Sequence, residues 1–176
     1  MRNRCVLLVL LVAVVGACGK EIGDSCIVNT DCSPNGDREC DNSSLGGYCT
    51  IQGCDFSTCP DEAACIRFFT GSFSNRPCDH DPNHPADPAN PRSCSLDETC
   101  ALNDQCVPRS SEVRYCMRTC GSDGDCRDDF DSASGTGYEC RDLEMMISRG
   151  GEPVLAPGLQ VDARSPKFCA EGPRVP

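Results

Sequence analysis

The chain has 176 residues, 18 of them cysteine, with no tryptophan, six phenylalanines, three tyrosines and a formal net charge of −11. So few aromatic residues cannot build a large apolar core, and a short chain this rich in cysteine falls in the disulfide-scaffold class. The acidity comes without a dense Lys/Arg cluster, which argues against nucleic acid and anionic lipid headgroups as surface partners, because both need a basic patch.

Met1–Arg4 carries two arginines, and Cys5–Val15 follows without a charge. A positive head and a short apolar run fit a signal peptide; the run is too short to span a bilayer, which takes about 20 residues. The next residues, Val15-Gly16-Ala17-Cys18, resemble the lipobox of bacterial lipoproteins. The resemblance implies that Val15, Gly16 and Ala17 are read by the signal peptidase. It also implies that Cys18 becomes the first mature residue and carries a diacylglyceryl thioether, so that the protein meets the membrane through an N-terminal lipid. Ordinary signal-peptidase cleavage is the alternative, since Val15-x-Ala17 also suits an A-x-A-like site. Cysteine parity agrees with lipidation: without Cys5 and Cys18, sixteen cysteines remain to pair. Gly19 rather than Asp follows the anchor, which in lipoproteins of Gram-negative bacteria implies the outer membrane.

The reading divides the chain into a signal peptide (1–17), a lipidated N-terminus and tether (18–23), a Cys-rich module (24–78), a Pro/Asp-rich linker (79–92) and a second Cys-rich module (93–176). The first module holds Cys26, Cys32, Cys40 and Cys49, then Cys54, Cys59, Cys65 and Cys78. The linker contains four prolines and no periodic apolar residues, so it reads as solvated and extended. The second module holds Cys94, Cys100 and Cys106, then Cys116, Cys120, Cys126, Cys140 and Cys169. The spacing leaves all pairings open.

The fold class expected is small, disulfide-rich and irregular, with short β-strands and little helix outside the signal peptide. Strands are expected around Gly47–Ile51, Cys65–Phe69, Arg114–Arg118, Tyr138–Leu143 and Lys167–Ala170, each with a cysteine in or beside it. A helical turn is expected near Ser95–Leu102, where Ser95-x-x-Glu98 matches a capping box. Leu143–Ser165 reads as an irregular hairpin. Two stretches look like copies: Cys26-x5-Cys32 and Cys120-x5-Cys126 both place Asp before the second cysteine, and Gly47-Tyr48-Cys49 is echoed by Gly137-Tyr138-Glu139-Cys140.

Little in the sequence points to chemistry. There is no C-x-x-C pair, no G-x-S-x-G and no phosphate-cradling glycine loop. The two histidines, His80 and His84, fall in the proline-rich linker, where a helix aligning them is not expected. Asp123, Asp125, Asp128, Asp129 and Asp131 concentrate oxygen ligands as calcium prefers, without EF-hand spacing. Val107-Pro108-Arg109-Ser110 offers a loop that a protease inhibitor could present. The reading assigns no cofactor, no catalytic residue and no enzyme activity.

The lipobox and the D-C and G-Y-C cysteine modules together look like those of cysteine-rich envelope lipoproteins of Gram-negative bacteria. That resemblance implies a lipid-anchored, disulfide-stapled, non-catalytic interaction or structural module, with an envelope protein or surface ligand as partner. A protease-inhibitor-like or calcium-dependent binding module is the alternative.

Overall fold

A computed structural model describes residues 19–71, 76–79, 92–131 and 136–173. It is a disulfide-rich fold of short antiparallel strands with few helices. In chain order, α1 (Asn29–Cys32) leads to β1 (Glu39–Asp41), β2 (Tyr48–Thr50) and β3 (Ala63–Phe69). β4 (Glu98–Cys100), β5 (Cys106–Pro108), β6 (Glu112–Arg118), β7 (Phe130–Asp131) and β8 (Thr136–Arg141) follow. The chain then forms α2 (Leu143–Arg149), β9 (Glu152–Pro153) and β10 (Phe168–Pro173). The strands make four small sheets: β1-β2, β4-β5, β6-β3-β9 and β10-β8-β7.

One pairing rule organises all sixteen cysteines from Cys26 to Cys169. They form four quartets, and in each the first cysteine bonds the third and the second bonds the fourth. The first quartet is Cys26–Cys40 with Cys32–Cys49; the second is Cys54–Cys65 with Cys59–Cys116. The third is Cys78–Cys100 with Cys94–Cys106; the fourth is Cys120–Cys140 with Cys126–Cys169. In every quartet the third and fourth cysteines lie opposite each other on paired antiparallel strands: Cys40 and Cys49, Cys65 and Cys116, Cys100 and Cys106, Cys140 and Cys169. Residues opposed in register project from the same face. Each such pair therefore receives two disulfides from the loop that precedes it.

The quartets do not follow the grouping expected from spacing. Cys78 joins the quartet after it, and Cys116 joins the one before it, because β6 pairs with β3 over seven residues and places Cys116 opposite Cys65. The third quartet is thereby nested inside the second. The segment 79–92, read from the sequence as a boundary between modules, has the β3–β6 pairing and the Cys59–Cys116 and Cys78–Cys100 disulfides spanning it. Its ends are clasped: Arg92 Nε lies 2.6 Å from Asp79 Oδ1, and the Asp79 N–H donates to the Arg92 carbonyl at 3.2 Å. Residues 80–91, with His80 and His84, lie outside the described residues.

Two further expectations are corrected. Ser95–Leu102 forms a reverse turn into β4 and no helix. The Glu98 carboxylate does accept from the Ser95 N–H at 3.0 Å, but Glu98 then enters the strand that sets Cys100 opposite Cys106. Leu143–Arg149, expected in an irregular hairpin, is helix α2. Asp142 caps it by accepting from the Met145 N–H at 3.1 Å, and the Gly150 N–H closes it on the Met146 carbonyl at 2.9 Å. Met146 on this helix is 2% exposed and packs with Ile66, Phe168 and Ala170, where Phe68 meets Phe168 edge-on at 6.1 Å. A second core is mostly sulfur: Cys54, Cys65, Cys116, Cys126, Cys140 and Cys169 surround Ile22, Tyr48 and Tyr138.

Candidate functional site

The sulfurs come first, since clustered cysteines can hold metal. In four places three Sγ atoms lie within 4.8 Å of one another, one place in each quartet. Every one of these sulfurs is in a disulfide. A metal ligand or redox nucleophile must be a thiolate, so the clusters are neighbouring cystines.

The first and fourth quartets share a loop built on one plan. In the first, Asp31 Oδ2 accepts from the Ile27 and Val28 N–H groups at 2.8 and 3.1 Å, and Asn29 Oδ1 accepts from the Cys40 N–H at 2.9 Å. In the fourth, Asp125 Oδ2 accepts from the Gly121 and Ser122 N–H groups, both at 2.9 Å, and Asp123 Oδ1 accepts from the Cys140 N–H at 2.8 Å. These backbone donors hold the Asp31 and Asp125 carboxyls below the usual carboxylate range. Two of the calcium candidates, Asp123 and Asp125, thus complete a turn and a strand end. Asp129 lies 3.3 Å from Arg127 Nε, and Asp128 and Asp131 also have partners. Among the described residues, no three carboxylates bring oxygens within 4.8 Å of one another.

The two quartets meet at a cationic and aromatic junction. The Tyr48 and Tyr138 rings stack at 5.7 Å, and the Arg127 guanidinium lies 4.3 Å from the Tyr138 centroid and 5.8 Å from that of Tyr48. Arg127 donates to the Gly47 and Leu45 carbonyls at 2.7 and 2.6 Å. Tyr138 donates to Leu45 O at 2.9 Å, and Glu171 accepts from the Leu45 N–H at 3.0 Å. The Tyr48 hydroxyl accepts from the Arg118 N–H at 3.0 Å and donates to Cys169 O at 3.3 Å. Burial pushes the Tyr138 phenol up to about 12 and the Tyr48 phenol higher still, so both remain neutral donors. The chain matches no family model, no curated protein and no solved structure.

Two buried carboxylates also carry structural contacts. Glu139, 4% exposed, pairs with Arg141 and Arg149. Arg141, 7% exposed, donates on to the carbonyls of Arg149 and Gly150, and its burial lowers its guanidinium pKa. Glu152, 3% exposed, accepts from Arg67 Nη2 at 2.6 Å and from the Leu102 N–H, tying β3 to the third quartet. Buried charges that are paired and hydrogen-bonded to backbone are what a folded interior tolerates.

Among the described residues, an open groove is bordered by Glu62, Arg118, Thr119, Gly121 and Asp125. Its charged groups are engaged: Arg118 with Glu21 at 2.9 Å, Glu62 with Arg38 at 3.6 Å, and Asp125 with its turn. The Thr119 hydroxyl donates to the Glu62 carbonyl at 3.0 Å. In the Val107–Ser110 stretch, Arg109 and Ser110 are exposed while Val107 and Pro108 belong to β5. Val107 is 3% exposed, Pro108 is paired with Glu98, and Arg109–Ser111 is a 3-10 turn. Val15, Gly16, Ala17 and Cys18 lie outside the described residues. Among the described residues, no helix is long and apolar enough to cross a membrane.

Sequence reasoning named the cysteines and the acidic run but missed the Arg127 junction and both buried carboxylates. Tyr48 and Tyr138 were visible as two glycine-tyrosine pairs; nothing in the spacing says that they touch. Eight disulfides mark a chain that folds in an oxidising compartment and can be stable there without a large core.

Proposed function

We propose that the protein is a lipid-anchored, disulfide-stabilised module of a bacterial envelope that works by binding or by structural support, without catalysis. The observation that carries this is the closure of cysteine pairing. The sixteen cysteines from Cys26 to Cys169 pair among themselves, which leaves none for Cys18. An exported cysteine left over in a lipobox-like sequence is accounted for by lipidation. The shared loop plan of the first and fourth quartets supports reading them as copies of one unit. The engagement of the groove's ionisable groups supports a role in contact over one in chemistry.

The test is the intact mass of protein extracted from membranes of the native host, with and without reduction and thiol alkylation. The expected result is a chain that begins at Cys18, is heavier by a diacylglyceryl group, and takes sixteen alkyl groups only after reduction. A chain without lipid removes the anchor. Thiols labelled before reduction restore metal or redox chemistry as the better reading.

A further inference from the structure

Ile27 and Val28 form an apolar pair on the surface, 80% and 51% exposed. They sit in the loop between Cys26 and Cys32, which is held at both ends by disulfides to Cys40 and Cys49. The Asp31 carboxylate fixes both of their N–H groups, so the pair is presented on a rigid turn.

The architecture of the loop does not require apolar side chains there. In the fourth quartet the same turn, closed by Asp125, has Gly121 and Ser122 at the corresponding positions. The pair also lies close to where the chain departs toward residue 18. Gly19 rests on the C-terminal end of α1, where a Cβ built on it would come within 2.8 Å of the Cys32 carbonyl oxygen. Val28 precedes the other end of this four-residue helix, about 6 Å away along its axis at about 1.5 Å per residue. Lys20 Nζ, bonded to the Ser25 carbonyl at 2.6 Å, sits beside the same loop, where an ammonium can meet lipid phosphates.

A thioether on Cys18 places that residue at the glycerol level of the leaflet, one peptide unit from Gly19. We infer that Ile27 and Val28 insert into the bilayer interface beside the lipid anchor and fix the orientation of the domain on the membrane. This rests on the lipidation of Cys18 proposed above. The occupant is the acyl-headgroup boundary of the bilayer. Binding there is apolar, as suits a protein whose acidity disfavours anionic headgroups. One lipid-anchored residue leaves the domain free to pivot about it; a second contact about one helical turn away stops it.

The absence of tryptophan from the chain makes a direct test possible. Full-length lipidated protein carrying Ile27→Trp is reconstituted in phosphatidylethanolamine/phosphatidylcholine vesicles whose acyl chains are brominated near the headgroup. The comparison is Gly121→Trp, the corresponding position of the fourth quartet, where a Cβ meets only the Asp125 carboxylate at ordinary contact distance, 3.4 Å. A non-reducing peptide map establishes that both variants keep all eight disulfides. Insertion to a depth of about 5–10 Å predicts at least about twofold quenching and a blue-shifted emission at position 27, with little of either at position 121. If the lipidated protein floats with the vesicles but position 27 is quenched no more than position 121, the insertion is overturned and the anchor stands. If the protein carries no lipid mass and does not float, the anchor reading fails and takes this inference with it.

Discussion

Tyr48 and Tyr138 come from strands 90 residues apart in the chain and stack with their ring centroids 5.7 Å apart, under one guanidinium, that of Arg127. The two hydroxyls do different work. That of Tyr48 accepts from the Arg118 N–H and donates to Cys169 O, whereas that of Tyr138 shares the Leu45 carbonyl with Arg127. Tyr48→Phe strands a backbone N–H in the interior and is expected to cost about 1–3 kcal/mol. Tyr138→Phe leaves Leu45 O with its arginine and is expected to cost about 0.5–1.5 kcal/mol. Urea unfolding of the oxidised proteins measures both. Equal losses would contradict the difference in role between the two hydroxyls.

Gly47 is a stricter requirement than other turn glycines. Its φ is +69°, and a Cβ there would overlap the Cys26 carbonyl, whose residue is held by the Cys40 disulfide and by the Gly46 carbonyl. Gly36 has φ +77° with open space around it. Gly36→Ala is expected to cost about 1–2 kcal/mol from backbone conformation alone. Gly47→Ala is expected to lower the yield of the correctly paired first quartet, read from non-reducing peptide maps after refolding. Equal refolding yields for the two variants would contradict the overlap.

Cys59–Cys116 spans 57 residues and fastens β6 to the second quartet, while Cys94–Cys106 spans 12. Replacing both partners with serine is expected to cost about 4 kcal/mol for the first bond and about 3 kcal/mol for the second, by the loop-entropy relation. Denaturant midpoints of the two double variants give the order. A larger loss for the shorter bond would place its value in the folded state instead of the unfolded chain.

Acid should destabilise the fold through Asp31 and Asp125. Both carboxyls are held below their ordinary value by backbone N–H donors. As pH falls, the unfolded chain therefore binds these protons first, and stability drops as pH passes through the folded-state values. Melting temperature should be flat from neutrality down to about pH 5 and fall between about pH 4 and 2. Asp31→Asn with Asp125→Asn should flatten that fall, measured by thermal denaturation at constant ionic strength.

Much of the strand layout is legible because the longer strands each carry a cysteine. The stretches around Tyr48, Cys65, Arg114–Arg118, Tyr138 and Phe168 all appear as β2, β3, β6, β8 and β10. The strands missed are brief or depend on distant partners: β9 is two residues that exist because Pro153 and Glu152 meet Ile66 and Arg67. Helix α2 had its signals in plain view, Asp142 at one end and Gly150 at the other. They were outweighed by the prolines and glycines that follow.

The sequence alone determined the kind of molecule this is: too few aromatic residues for a large core, sixteen cysteines to replace one, and aspartates spaced to close the Asp31 and Asp125 turns within a few residues. These are local or compositional facts, and short-range physics suffices for them. Only the tertiary structure decided which cysteines meet. Cys116 pairs with Cys59 because seven residues of β6 align with β3 and set it opposite Cys65, which draws Cys78 into the quartet of Cys94, Cys100 and Cys106. Register between strands far apart in the chain is chosen by side-chain faces and hydrogen-bond ladders that exist only once they are paired. That is why neither the disulfide connectivity nor the Tyr48–Arg127–Tyr138 junction could be counted off from cysteine spacing.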